Sequence, residues 1–338
     1  APWSVVASLV VAVPLALLLA VPAALAGSKD AAVTRGLDPA LSPDGVHLAF
    51  VRATGTNMDV WVCEIEACEP RRLTTHAARD KSPAFSPDGK KIVFASWREG
   101  TGDLFVVPLD GSTAPVRITD DEGEEDDPAW SPDGSRIAFT WLRGPKTTVG
   151  LVASGGGTPA AFDPFPAGTE SQPAWSGDGE RLALVTDRFA DLDIAVFRIE
   201  DETLDPISAD SRIVRIPESS EMAPAWHPIQ DWIAYTSDAK QGASHSTIDM
   251  SEGSFGRPRR PQPFEPGPRN VWRLSANLSS SRMRVSPTDV HTDDPAFTAD
   301  GTSVVYTVTD ALGKRARQIR APEIWIRYKV VKAKKRKR

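Results

Sequence analysis

A chain of 338 residues with 41% hydrophobic and 25% charged residues has the make-up of a soluble globular protein that can build a sizeable core. Its net charge of −6 conceals seven basic residues in the last ten positions, Lys329 to Arg338, so everything before them carries about −13. A body this acidic excludes general nucleic-acid binding, which needs a basic face, and 29 Pro with 24 Gly suit short strands and turns better than helices.

The first 26 residues differ from the rest. Val5 to Ala26 is an apolar run with no charge before Lys29, ending in Ala24-Leu25-Ala26 ahead of Gly27. That ending is the small-x-small pattern of a secretory cleavage site, and the run is also long enough to span a bilayer as an uncleaved anchor. Residues 1–26 are therefore expected to act as a signal peptide or an N-terminal membrane anchor, and either places the body outside the cytoplasm.

A motif then recurs: Pro-Ala, a Leu or aromatic residue, and a Ser-Pro-Asp-Gly turn. It begins at Pro39, Pro83, Pro128, Pro173, Pro224 and Pro295, with spacings of 44, 45, 45, 51 and 71 residues. Each copy leads into an alternating strand, as in Leu48-Ala49-Phe50 or Ile137-Ala138-Phe139. A second strand follows that opens on a polar residue, as in Asp59-Val60-Trp61, and then a last one such as Arg72-Leu73-Thr74. Four short strands in about 45 residues are the dimensions of a propeller blade, which cannot bury both faces alone. The fold expected is all-β: a six-bladed β-propeller of four-stranded blades over residues 31–331, with blades starting near 38, 82, 127, 172, 223 and 294. The sixth unit runs out of sequence after Glu323 to Val331, while Ala32-Val33-Thr34 precedes the first motif as Arg72-Leu73-Thr74 precedes the second. Residues 31–36 are expected to close the ring by pairing in the last blade. The Ser-Pro-Asp-Gly runs are turn chemistry: Pro presets φ, Asp bonds its own backbone and Gly takes φ > 0.

Within the first unit stand the two cysteines, Cys63 and Cys68, flanking Glu64 to Ala67 where a hairpin turn is expected. Opposed hairpin positions lie about 5.5 Å apart at Cα, so a disulfide staple is expected in an oxidising compartment. Further along, the crossover Asp120-Asp121-Glu122-Gly123-Glu124-Glu125-Asp126-Asp127 is strongly acidic. Asp38, Glu170, Glu221, Asp293 and Asp294 occupy comparable crossovers, so an acidic mouth is expected, suited to a basic peptide, a cationic partner or Ca²⁺. Blade five carries an insertion, residues 239–269, whose Gly, Pro, Ser and Arg content reads as disordered. The loop Thr309 to Pro322 with Lys314, Arg315, Arg317 and Arg320 reads as solvated. Residues 332–338 form a basic tail able to touch anionic headgroups.

Catalytic patterns are absent from the sequence: it has no Gly-x-Ser-x-Gly elbow, and His47, His76, His227, His245 and His291 form no metal-ligand pairing. The acidic crossover lacks the Asp-x-Asp-x-Asp-Gly spacing of a calcium loop, so no metal and no cofactor is expected. Trp130, Trp175 and Trp226 belong to the repeat and read as core, leaving Trp97 and Trp141 near the loop face.

Pro-Ala-Trp-Ser-Pro-Asp-Gly-x-x-Ile-Ala-Phe, followed by Asp-hydrophobic-aromatic and Arg-Leu-Thr, resembles the WD-repeat-like blades of the TolB family. The resemblance implies a periplasmic propeller that binds an envelope lipoprotein at its mouth, although the α/β domain of that family does not lie between leader and first blade. Similar blades also form the substrate-gating propellers of prolyl-oligopeptidase-type peptidases. The expectation is an exported, monomeric, non-catalytic scaffold for an envelope protein, lipoprotein or peptide; the alternative is the regulatory propeller of a peptidase whose hydrolase domain is not in this chain.

Overall fold

In the computed structural model, the residues described are 30–164, 168–188, 191–199, 212–215, 219–239, 246–249, 269–275, 283–286, 290–298, 300–311 and 323–328. The apolar leader, the basic tail, residues 312–322 and most of the blade-five insertion lie outside them. No helix among the described residues is long and apolar enough to cross a membrane.

The period-2 alternation of each repeat becomes a set of antiparallel strands. After β1 (Asp30–Arg35), the first sheet holds β2 (Leu37–Leu41), β3 (His47–Thr54), β4 (Asn57–Glu64) and β5 (Arg71–Arg72). The second holds β6 (Asp80–Phe85), β7 (Lys91–Ser96), β8 (Asp103–Pro108) and β9 (Val116–Arg117). The third holds β10 (Glu124–Trp130), β11 (Arg136–Arg143), β12 (Lys146–Ala153) and β13 (Ala160–Phe162). Next come β14 (Glu170–Trp175), β15 (Arg181–Thr186), β16 (Asp193–Arg198) and β17 (Arg212–Arg215), then β18 (Glu221–Trp226) and β19 (Trp232–Ser237). The chain continues through β20 (Ser246–Asp249), β21 (Asn270–Ser275), β22 (Met283–Arg284), β23 (Val290–Phe297), β24 (Ser303–Ala311) and β25 (Glu323–Tyr328).

The expectation of equal four-stranded blades needs correction. The fourth sheet runs β14-β15-β16-β17-β20 and so has five strands, its outermost one donated by the following repeat. That strand comes from the insertion expected to be disordered: Ser246–Asp249 pairs antiparallel with Arg212–Arg215, in the register Arg212↔Asp249 to Arg215↔Ser246. The outer strands β5, β9 and β22 are two residues long, so those sheets are three full strands with a brief fourth contact. The physical reason is that an outer strand has one neighbour and little to bury, so its length is set by the local loop and not by the repeat. The last sheet takes strands from both ends of the described chain, in the order β1-β25-β24-β23, with a register shift between Ala32 and Thr34.

First strands of successive sheets touch one another, β2 to β6, β10, β14, β18 and β23, and β23 touches β2. The cores lie between sheets. Ala49, Val60 and Val62 of the first pack with Phe85, Ile92 and Phe94 of the second, and Val93 and Leu104 of the second pack with Ile137 and Phe139 of the third. The motif tryptophans tie these seams: Trp175 donates its indole N–H to the Ala129 carbonyl at 3.2 Å, and Trp226 donates to Ala174 at 2.9 Å. Both are buried, whereas Trp130 is half-buried.

The Ser-Pro-Asp-Gly runs are tight turns. In the third sheet Ser131 Oγ donates to Asp133 Oδ1 at 2.6 Å, Asp133 accepts the Ser135 amide at 3.0 Å, and Gly134 sits at φ 74°. These bonds hold the Asp133 carboxyl down to about 2, the Ser131 hydroxyl contributing most. In the fifth repeat His227 replaces the serine. Its Nδ1 accepts the amides of Ile229 and Gln230 at 3.1 and 2.9 Å, and its Nε2 reaches the Gly301 carbonyl at 3.1 Å.

Cys63 and Cys68 are bonded, with Cα atoms 5.0 Å apart. A 3-10 turn over Ile65–Ala67 separates them, in place of two opposed hairpin strands. A closed loop this short removes chain entropy worth about 2 kcal/mol from the unfolded state. Cys63→Ala/Cys68→Ala is expected to lose about that much stability in urea titration, and wild-type protein under reductant should match it.

Candidate functional site

The residue before each Pro-Ala pair is the feature that builds the site. Asp38, Ser82, Asp127, Gln172, Ala223 and Asp294 all have left-handed backbones, with φ between 46° and 52°. Each sits in a β-bulge, between register shifts such as Lys81/Ala84 and Asp126/Ala129. A left-handed non-glycine residue costs about 1 kcal/mol or more, with Asp the cheapest of the side chains present. The Asp127 amide donates to Asp126 Oδ1 in its own strand at 2.9 Å, while neighbouring sheets supply acceptors for three of the others. The Ser82 amide faces Asp38 Oδ2 at 3.4 Å, the Gln172 amide donates to Thr140 Oγ1 at 2.8 Å, and the Ala223 amide donates to Gln172 Oε1 at 2.8 Å.

These six residues and the prolines after them line one cavity of about 180 Å³ at the axis. Three of the six are aspartates, from the first, third and last sheets. Burial pushes Asp127 up to about 7, with Asp126 adding to the rise and Lys81 opposing it. Burial also raises Asp38 and, more strongly, Asp294, whose neighbours Asp38, Asp293 and Asp127 push in the same direction. Lys81 is the cation facing them. Burial works against its charge, but its ion pair with Asp126 and the nearby Asp127 and Asp38 leave its amine above the ordinary lysine value.

The acidic crossover is largely pinned in place. Asp120 and Glu122 are exposed, as expected of a mouth. Asp121 accepts the Trp141 indole N–H at 2.9 Å and the Gly123 amide at 2.8 Å. Glu124 accepts the Trp97 indole N–H at 3.1 Å, and the Arg79 guanidinium lies 3.7 Å above the Trp97 ring. Asp126 accepts from Ser82 Oγ at 2.9 Å and pairs with Lys81. Trp141 is buried and the face of Trp97 is covered by Arg79, so neither offers an open stacking platform.

Glu125, Glu170 and Glu221 are fully buried in the seams between sheets and do not line the mouth. Glu125 accepts from Thr119 Oγ1 at 2.9 Å, and burial, reinforced by Asp121 and Asp103, raises it to about 8. Burial, with Asp163 and Asp187 adding to it, likewise raises Glu170 to about 8, against Lys146 and the nearby Thr148 hydroxyl. Glu221 accepts from Ser219 at 2.7 Å and Ser237 at 2.9 Å. Asp293 pairs with Arg269 at 3.0 Å beside the throat residue Asp294. The corresponding seam acid of the second sheet, Asp80, is held by Arg98 through both oxygens, at 3.1 and 3.2 Å.

Three of the acids singled out in the sequence, Asp38, Asp127 and Asp294, thus line the axial cavity, whereas Lys81, Ser82, Thr140, Gln172 and Thr307 beside them were not singled out. The signal for three of these was present, since Ser82 and Gln172 precede a repeated Pro-Ala and Lys81 precedes Ser82. Among the described residues no group of three or more His, Cys, Asp or Glu side chains is arranged to hold a metal ion.

Residues 30–150 match the family model described as the TolB beta propeller domain. The chain is 30% identical over 63 residues to the Tol-Pal system protein TolB of Desulfosudis oleivorans, a stretch that is 19% of this chain and 14% of that protein. It is 34% identical over 79 residues to the TolB of Hydrogenovibrio crunogenus, covering 23% of this chain and 18% of that protein. Among solved structures, TolB from Acinetobacter baumannii superposes with a TM-score of 0.58 at 15% identity, over 84% of this chain and 64% of that one. A puromycin hydrolase superposes with a TM-score of 0.53 at 18% identity, over 81% of this chain and 42% of that one. At these identities the structural likenesses establish the fold alone.

Proposed function

We propose that this chain, which carries a TolB-like β-propeller, is a non-catalytic, extracytoplasmic binding scaffold that holds a protein or peptide partner at the axial face. The observation that carries the reading is the throat: Asp38, Asp127 and Asp294 converge on one cavity with Lys81 as the facing cation. Such a pocket suits an ammonium or guanidinium group from a partner, because carboxylates with walls of low dielectric focus a negative potential. Around it stand Asp120 and Glu122, the two exposed acids of the crossover, with Asp121, Glu124, Asp126, Asp293 and the seam glutamates Glu125, Glu170 and Glu221 as support. The resemblance to Tol-Pal proteins favours an envelope protein or lipoprotein as that partner. The disulfide and the apolar leader fit a place outside the cytoplasm. The gating-propeller alternative rests on fold likeness alone, which many unrelated functions share.

The experiment is affinity capture from envelope extract with the full chain beside Asp127→Asn/Asp294→Asn. Asparagine tolerates the left-handed backbone, so the fold should persist. By contrast, neutralising the whole run from Asp120 to Asp127 would also unseat Trp97 and Trp141. A partner retained by the wild type and at least about fivefold less by the double variant supports the reading. Equal retention removes the throat from it.

A further inference from the structure

The throat has a proton balance that three converging carboxyls impose. Asp38 comes from β2, Asp126 and Asp127 from β10, and Asp293 and Asp294 from β23; Lys81 on β6 and Arg269, paired with Asp293, are the facing cations. The remaining first strands, β14 and β18, present Gln172 and Ala223 to the cavity. Lys81 is already committed to Asp126 and Arg269 to Asp293, leaving Asp38, Asp127 and Asp294 to share a space of about 180 Å³. Like charges confined in this way do not all ionise together.

A second observation marks the same spot. Thr140 Oγ1 lies 3.0 Å from Asp127 Oδ2 and also accepts the Gln172 amide, so the Thr140 proton is directed at the carboxylate. Thr307 on β24 stands beside Asp294. It is fully buried, and its hydroxyl has no partner at hydrogen-bond distance although it acts on the Asp294 carboxyl. A buried hydroxyl in that state stands ready to donate to Asp294, a throat carboxyl, once that carboxyl ionises.

Resting on the functional reading above, we infer that a cationic group entering the axial throat displaces a proton shared among Asp38, Asp127 and Asp294, so that binding there is proton-coupled. The direction follows from mass balance: ligand cation in, proton out, so affinity rises with pH. The burial that raises Asp127 to about 7 sets the window around neutrality.

The test is calorimetry on the full chain with Nα-acetylated argininamide as the probe and Nα-acetylated citrullinamide, its neutral isostere, as the control. Titrations run from pH 6 to pH 8 in phosphate and in Tris, whose ionisation enthalpies differ. The expected result is argininamide binding about fivefold or more tighter at pH 8 than at pH 6, with a buffer-dependent enthalpy that reports proton release, and no citrullinamide binding. Asp127→Asn should bind more weakly and with a flatter pH profile. Argininamide binding that is independent of pH and buffer overturns the proton coupling and leaves the throat as an anchor. No argininamide binding at either pH overturns the throat as a cation anchor, and the coupling with it.

Discussion

Glu170→Gln should make the protein more stable than wild type at pH 8.5, while the two should be indistinguishable at pH 4.5. Glu170 is fully buried between β12 and β14, and its carboxyl is raised to about 8 by burial and by Asp163, with Asp187 adding to it. The unfolded chain ionises near the ordinary glutamate value of about 4.5. Below that value both states are protonated and the site costs nothing. As the pH rises toward 8 the unfolded state gains by ionising and the folded state does not, so stability falls across that window and levels off above it. A rise of this size corresponds to several kcal/mol at most, and about 2 kcal/mol after relaxation is a reasonable expectation. Glutamine keeps the shape and cannot ionise. Glu125→Gln should behave in the same way, because Glu125 is also raised to about 8 and also fully buried. Comparing each variant with wild type cancels the groups that titrate in both, such as Asp133. Urea titrations at the two pH values decide it. A glutamine variant that is weaker at both would show that Glu170 is ionised and paired in the folded protein.

Gly150→Val is expected to be among the most damaging single changes in the chain. A Cβ at position 150 would meet Phe139 Cζ at 2.3 Å, with two further ring carbons within 2.9 Å. Phe139 is fully buried and directly opposite Gly150 in the β11–β12 ladder. Equivalent cross-strand pairs elsewhere are Phe50 with Trp61, Phe94 with Phe105, and Leu184 with Ala195. The third sheet meets the same space requirement with one large ring over a glycine. Overpacking here should cost about 3 kcal/mol or more, since the ring is also fixed against Trp141, with centroids 5.9 Å apart. Phe139→Leu in the same chain should recover part of the loss, a coupling that a double-mutant cycle would read as a shared volume. Additive losses would mean that the ring swings away without penalty.

Particular residues show how far the sequence can be read. Ser131, Asp133 and Gly134 announce their turn because every bond in it is local, between residues a few positions apart. Cys63 and Cys68 announce their pairing for the same reason, although the 3-10 turn between them was not foreseen. The position of β20 was not legible: Ser246–Asp249 pairs with β17, more than thirty residues earlier, and nothing in its own composition names that partner.

The crossover from Asp120 to Asp127 marks the boundary most clearly. The sequence by itself determined that eight acidic or glycine residues stand just before a blade motif, on strands whose alternation and turns specify a propeller. Only the tertiary structure decided that Glu125 faces a seam, Asp126 meets Lys81 and Asp127 enters the axial cavity. Alternation sends neighbouring side chains to opposite faces, and the bulge at the left-handed residue shifts that phase by one position. Part of the environment that sets each proton affinity then comes from distant strands, as Lys81 and Asp38 do for Asp127. Local periodicity encodes a strand; a carboxyl's charge is settled by what the other sheets bring against it.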